Sequence, residues 1–141
     1  MEEIAYPQAI QIGSALAVTI ATSETTLLTI TDGKATKFSQ ITNYFDIVLG
    51  SASSVRLKYY FSPDNGTTWY QIPTRNTSTG VLVDTPSVAD ATSPAQTISA
   101  VSHIRVVEDI PFSGSLGYKV TGTAVAASAT LTSISVYGRQ N

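Results

Sequence analysis

The chain has 141 residues, no cysteine and a formal net charge of −2. Without cysteine it has neither disulfides nor thiolate zinc sites, and it lacks the positive charge that a nucleic-acid binder needs. Only 13% of its residues are charged, about half the share in ordinary soluble domains, while serine and threonine make up about a quarter. A surface of this kind is typical of a protein that packs against other proteins or lies outside a cell.

The amino-terminal residues predict no export and no membrane contact. Residues 1–3 are acidic overall where a secretory signal would be basic, and no apolar run follows them. No stretch approaches the roughly 18 apolar residues of a membrane span. Residues 1–13 contain Pro7 and show little periodicity, so we interpret them as an arm or an early edge strand. Residues 14–141 are then expected to form a single domain.

Alternating apolar residues predict three early strands. Residues 16–20 and residues 27–31 are expected to pair with each other, and Asp32–Gly33 ends the second of them as a turn dipeptide. In the first strand Leu16 alternates in phase with Val18 and Ile20, which predicts one shared face. The third strand covers residues 41–49.

Residues 54–72 predict a β-hairpin, which we regard as the centre of the fold. Apolar and polar residues alternate over 54–62 in the manner of a strand with one buried face. Pro63 and Gly66 then reverse the chain, because proline fixes φ near the turn value and glycine accepts a positive φ. Residues 67–72 return as the second strand.

The remaining strands are predicted by shorter apolar stretches, at residues 81–83, 98–101, 103–107, 116–123 and 130–137. We expect the last two to form a closing antiparallel pair. Residues 84–95 hold two prolines and predict a long exposed loop, or a segment ordered only by a partner. About eight or nine strands without an amphipathic helix predict an all-β fold, an antiparallel β-sandwich for which a jelly roll is one arrangement.

No group of residues specifies a reaction. His103 has no His, Asp or Glu at metal-ligand spacing, and Glu108 and Asp109 are adjacent strand residues that point to opposite faces. Asp84 and Asp90 flank a loop that could offer oxygen ligands to calcium, but two carboxylates without EF-hand spacing make a poor site. We therefore predict no catalytic residue, no metal site and no cofactor.

Aromatic side chains near the hairpin give one further candidate site. Tyr60, Trp69 and Tyr70 lie on it or beside it, and together they could form a platform on which a sugar ring stacks. Core packing explains most aromatic residues of a small β-domain more simply. A carbohydrate-binding module that uses these residues is kept as the alternative interpretation.

Residues 62–69, Ser-Pro-Asp-Asn-Gly-Thr-Thr-Trp, resemble the Asp-box, Ser-x-Asp-x-Gly-x-Thr-Trp, a structural hairpin of sialidases and other β-rich proteins. The motif begins at Ser62. The resemblance implies that Asp64 accepts N–H groups of the turn, that Gly66 takes a positive φ, and that Trp69 anchors the hairpin to the core. The motif occurs once, and the chain lacks the length and the arginine triad of a sialidase. We therefore predict a well-formed turn and no glycosidase activity.

The chain as a whole resembles small virion proteins of tailed bacteriophages, on its Ser/Thr/Ala-rich composition and its hairpin YYFSPDNGTTWYQI. Capsid decoration (cement) proteins and head- or tail-associated β-domains are examples. The resemblance implies a non-enzymatic structural protein, made in the host cytoplasm and carried in the virion. It would bind neighbouring capsid or tail subunits, as a homo-oligomer or a multi-copy array, with neither nucleic acid nor membrane as partner.

Overall fold

The computed structural model describes residues 9–72, 74–75, 82–83, 103–112 and 114–139. Within these ranges the chain forms ten strands and no helix. None of the described residues therefore belongs to a helix that could cross a membrane. The strands are β1 (Ile10–Ile20), β2 (Thr25–Ile30), β3 (Gln40–Val48), β4 (Ser54–Ser62), β5 (Tyr70–Ile72), β6 (Thr74–Arg75), β7 (Leu82–Val83), β8 (His103–Pro111), β9 (Gly117–Val125) and β10 (Ala129–Arg139).

Eight of these strands form two four-stranded antiparallel sheets. Sheet one has the order β1-β10-β3-β8, and sheet two has the order β2-β9-β4-β5, while β6 and β7 pair separately. The pairs β1–β10, β2–β9, β3–β8 and β4–β5 nest inside one another, as if one long hairpin were rolled into a sandwich. This is the strand order of a jelly roll. The predicted all-β antiparallel sandwich is confirmed, and the hairpin β4–β5 is its innermost pair.

Two predicted pairings are wrong. β1 and β2 lie in different sheets, and so do β9 and β10, although each pair is consecutive in sequence. Short connections carry the chain across the edge of the sandwich instead of reversing it within one sheet; in the first, the Ala21 carbonyl accepts a hydrogen bond from the Ala124 N–H. Alternation shows only which face of a strand is apolar. A strand that crosses to the other sheet buries that face as well as a strand that pairs in a hairpin, so alternation does not distinguish the two.

The core lies between the two sheets, and both sheets contribute to it. Each fully buried aliphatic or aromatic side chain stabilises the fold by about 1.5–3 kcal/mol. A polar contact also links the sheets, because the Tyr118 hydroxyl on β9 donates to Asn43 Oδ1 on β3 at 2.6 Å, with both residues buried. The largest fully buried side chains are Tyr59, Tyr118, Ile20, Ile41, Ile47, Leu57, Ile110, Leu131, Ile134, Val55, Val120 and Val136.

Several sequence predictions fall at the margins of the described residues. β1 begins at Ile10, so the end of the segment interpreted as an arm or edge strand is an edge strand of sheet one, whereas residues 1–8 lie outside the description. The predicted loop 84–95 with Asp84 and Asp90, and the predicted strand 98–101, also lie outside it. His103, Glu108 and Asp109 belong to β8, but their side chains are likewise outside the description.

Candidate functional site

The turn between β4 and β5 is closed by side chains. Ser62 ends β4, and its buried hydroxyl donates to Asp64 Oδ1 at 2.8 Å and accepts the Gly66 N–H at 2.7 Å. Asp64 Oδ1 also accepts the Thr68 N–H at 2.7 Å. The Thr68 N–H and the Ser62 hydroxyl together hold the pKa of Asp64 below its usual value. The Asp64 carboxylate is thus engaged in closing the turn.

The same turn is joined to the loop that follows β2. Asn65 and Gly66 in this turn both have positive φ, of 60° and 99°. Asn65 Oδ1 accepts the Asp32 N–H at 2.6 Å, and Asn65 Nδ2 donates to Asp32 Oδ1 at 3.3 Å. Two loops at this end of the sandwich therefore hold each other in place.

Trp69 does not enter the core between the sheets. It is only half-buried, and it precedes β5, since the returning strand begins at Tyr70 and not at residue 67 as predicted. Its ring lies close to Gly117 of β9, where an added Cβ would stand 3.1 Å from the ring. Trp69 thus covers the outer face of sheet two.

On that outer face a lysine lies between two aromatic rings. The register of the β4–β9 pair sets Lys119 opposite Tyr60. The Lys119 ammonium is 4.8 Å from the centroid of the Tyr60 ring and 4.7 Å from that of the Trp69 ring. At this distance the quadrupole of each ring attracts the cation.

Glu24 completes this group, which we call the Lys119 cluster: Glu24, Tyr60, Trp69, Lys119 and Thr121. The Tyr60 hydroxyl donates to Glu24 Oε2, and the Thr121 hydroxyl donates to the same oxygen at 2.7 Å. The hydrogen bond from Tyr60 lowers the pKa of Glu24. Burial, together with that hydrogen bond, raises the pKa of Tyr60 to about 12. The contacts of Glu24 and Lys119 with these aromatic residues were not predicted from the sequence.

The three aromatic residues proposed as a sugar platform do not share one surface. Tyr60 pairs with Gln71 whereas Tyr70 pairs with Phe61, so Tyr60 and Tyr70 project to opposite faces of the hairpin. Tyr70 is 50% exposed and stacks on Phe61 with the ring centroids 5.5 Å apart. Tyr60 and Trp69 do lie together, with the Lys119 ammonium over both rings.

The outer face of sheet one has a different character. Tyr44 of β3 and Tyr137 of β10 meet edge to face, with their ring centroids 5.5 Å apart. Together with Ala9 and Ser135 they line a shallow cleft of about 320 Å³, which we call the Tyr44 cleft. Tyr44 is 42% exposed.

Leu16 of β1 stands on the same face and is 75% exposed. The sequence analysis placed it in phase with Val18 and Ile20, and this assignment is wrong. Ala17 has a φ of 56°. The position opposite it on β10 lies between Leu131 and Ser133, where the register of β10 against β3 shifts. The alternation of inward and outward side chains therefore breaks at Ala17. Ile20 therefore faces the core while Leu16 faces solvent, and no sequence signal marked that break.

Comparisons with known proteins establish no family. No family model matches the chain, and no curated protein matches it. Among solved structures, the SPBc2 prophage-derived protein YomS is similar with a TM-score of 0.50 and 17% identity, over 96% of this chain and 99% of that one. That likeness supports the fold alone.

Two further solved structures are similar at lower scores. One is a carbohydrate-binding module specific for non-crystalline cellulose, CBM28, with a TM-score of 0.44 and 10% identity over 96% of this chain and 73% of that one. The other is the empty capsid of Triatoma virus, with a TM-score of 0.34 and 12% identity over 96% and 88%. Scores this low carry no functional argument.

Proposed function

We propose that this chain is a non-enzymatic structural protein of a tailed-bacteriophage virion, which binds neighbouring capsid or tail subunits as a capsid decoration or head–tail accessory protein. The observation that carries the proposal is the outer face of sheet one. It exposes Leu16, Tyr44 and the Tyr44 cleft on a chain in which only 13% of residues are charged. Exposed apolar and aromatic side chains on a weakly charged surface are typical of protein–protein contact sites.

The fold adds support from a second direction. A prophage-derived protein shares the sandwich over nearly the full length of both chains. A closed jelly roll of this size offers two broad sheet faces and rigid loop ends, which suits a subunit whose role is to make contacts. The Asn65–Asp32 hydrogen bonds hold one such end.

What supports the non-enzymatic part of the proposal, among the described residues, is that the two carboxylates with a perturbed pKa are engaged in the fold. Asp64 closes its turn, and Glu24 accepts hydrogen bonds from Tyr60 and Thr121. The pKa of each carboxyl lies below its usual value because these hydrogen bonds favour the ionised form.

The test is quantification of the protein in purified virions of the virus that encodes it. We expect a fixed copy number per particle by mass spectrometry, and rebinding of recombinant protein to particles from a virus lacking the gene. Rebinding should saturate at the same stoichiometry. Wild-type particles that contain none of the protein, and deletion particles that do not bind it, would contradict the proposal.

A carbohydrate-binding module is the second candidate, and the exposed ring of Tyr70 is the observation in its favour. The Lys119 ammonium over Tyr60 and Trp69 counts against it, because a sugar would have to displace the cation from both rings. A glycan array with the wild-type protein and a Tyr70→Ala variant separates the candidates. Glycan binding that the variant loses while it stays folded would favour the module.

A further inference from the structure

We propose that the outer face of sheet one binds a second copy of this chain, with Leu16 of each copy inserted in the Tyr44 cleft of the other. The contact is reciprocal, so a two-fold axis relates the copies and the same patch serves on both sides. The inference rests on the proposed function for its use in a particle, whereas the contact itself can be measured on the isolated protein.

The first observation is the irregular backbone around Leu16. A φ of 56° at Ala17 is a conformation that residues with a Cβ seldom adopt, and the register of β10 against β3 shifts at the facing position. Regular alternation would turn Leu16 toward the core along with Val18 and Ile20. The irregular backbone turns a large apolar side chain into water, which is unfavourable unless another surface covers it.

The second observation is the shape of the face. Across the strands, Leu16 pairs with Ser133 and Ser133 with Asp46, while the neighbouring row runs from Ser135 to Tyr44. Small serine side chains therefore separate a projecting leucine from the two tyrosine rings. Leu16 and the Tyr44 cleft are thus offset from each other on one face. When a second copy is rotated by a half-turn, Leu16 of each copy can enter the cleft of the other.

The third observation is charge, which selects a second copy over a charged partner. A two-fold contact places each patch against itself, so a patch carrying one sign of charge would repel its copy. The described side chains of β1, β10 and β3 include only two charged residues, Asp46 and Arg139, and their signs are opposite. The β4–β9 register sets three basic residues on the outer face of sheet two, Arg56, Lys58 and Lys119, with the acidic Glu24 beside them, so that face carries mainly one sign of charge.

The area of the face predicts a weak contact. Three strands about 4.8 Å apart, each about nine residues long at roughly 3.3 Å per residue, cover roughly 430 Å². A standard interface buries about 800 Å² per partner, so this one belongs with transient contacts. We expect a dissociation constant of roughly 10⁻⁵–10⁻⁴ M, which many copies arrayed on a particle would reinforce.

Sedimentation equilibrium on the full chain tests the contact. The wild type should show a monomer–dimer equilibrium at high micromolar concentration, and Leu16→Asp should weaken it at least about tenfold. Leu116→Asp is the matched control, because Leu116 is also an exposed leucine but lies at the loop end beside Gly33. A wild type that stays monomeric, or two variants with equal effects, would overturn the inference.

A mixing experiment removes the objection that a variant is merely unstable. Tyr44→Lys should also weaken self-association, because it puts an ammonium where Leu16 of the other copy must enter. A one-to-one mixture of Leu16→Asp and Tyr44→Lys should form heterodimers more tightly than either variant alone, through one Asp–Lys contact and one wild-type contact. A mixture no tighter than the two variants would refute the pairing of Leu16 with the cleft.

The two proposals can fail separately. If Leu16→Asp protein is monomeric and still saturates particles at the wild-type copy number, the role in the virion stands and the use of the two-fold contact there is refuted. If the protein dimerises through Leu16 and is absent from virions, the contact stands and the proposed function is wrong.

Discussion

The two outer faces of the sandwich use their aromatic residues in opposite ways. On sheet two, Tyr60 and Trp69 surround the Lys119 ammonium, and the Tyr60 hydroxyl donates to Glu24. On sheet one, Tyr44 and its partner ring border an open cleft. One face therefore satisfies its aromatic residues within the chain, and the other exposes Leu16 and part of Tyr44 to solvent.

This difference separates residues that stabilise the fold from residues that are available to contact a partner. A group that already interacts within the chain must give up that interaction before it can bind a partner, which lowers its value for recognition. A group that projects freely loses only water. Substitutions in the Lys119 cluster should consequently reduce the free energy of unfolding and leave association unchanged, whereas substitutions at Leu16 and Tyr44 should weaken association.

Replacement of one aromatic residue on each face gives the largest expected contrast. Trp69→Ala should lower the free energy of unfolding by about 2 kcal/mol, which is less than the roughly 3–5 kcal/mol of a core tryptophan because the ring is half-buried. Tyr44→Ala should cost about 1 kcal/mol, mainly its edge-to-face contact with Tyr137. Urea unfolding of both variants measures the difference. A larger loss for Tyr44→Ala would invert the comparison of the two faces.

Glu24→Gln should have the next largest effect on stability. The Glu24 carboxylate accepts hydrogen bonds from Tyr60 and Thr121, and a neutral amide accepts them more weakly. Because Glu24 is exposed, we expect a loss of only about 0.5–1 kcal/mol at neutral pH.

The pH dependence of that loss identifies its source. The pKa of Glu24 is lowered in the fold, so its contribution is present above its unfolded pKa and disappears as the pH falls through the folded value. The unfolding free energies of wild type and Glu24→Gln should therefore converge in acid. A gap that stays constant down to low pH would assign the effect to packing and not to the charge.

Lys119→Met should have a smaller effect, because methionine keeps an apolar stem of similar length and removes only the cation. We expect a loss of about 0.5 kcal/mol from the two cation–π contacts at this surface position. The variant should also remain at the wild-type level in sedimentation equilibrium. Reduced self-association in Lys119→Met would show that sheet two, and not sheet one, holds the contact.

The sequence predicted the local structure better than the arrangement of neighbours. The alternation over residues 54–62 and the turn signals at Pro63 and Gly66 predicted the hairpin, because those signals act over a few residues. The pairing of β1 with β10 joins residues more than a hundred positions apart. No short pattern encodes such a register, so the consecutive strands were paired incorrectly.

The candidate surfaces were missed for the same reason. Lys119 meets Tyr60 only through the β4–β9 register, and Glu24 reaches the Tyr60 hydroxyl from a different connection. Leu16 was predicted to share one face with Val18 and Ile20, because the three residues are in phase. The backbone break at Ala17 lies at an ordinary alanine, where sequence rules give no reason to expect a positive φ.

The smallest expected effect, and the most local one, is on the titration of Tyr60. Burial and the Glu24 carboxylate raise the pKa of Tyr60 to about 12, so the neutral phenol contributes stability below its unfolded pKa and that contribution is lost as the pH rises through about 12. An ultraviolet titration of the wild type should therefore include the ionisation of a tyrosine near pH 12, and Tyr60→Phe should remove it. Glu24→Gln should lower its pKa toward the ordinary value without restoring it fully, since burial remains. If the ionisation near pH 12 remains in Tyr60→Phe, it does not belong to the Lys119 cluster. The contrast between the two faces then depends on the aromatic contacts alone.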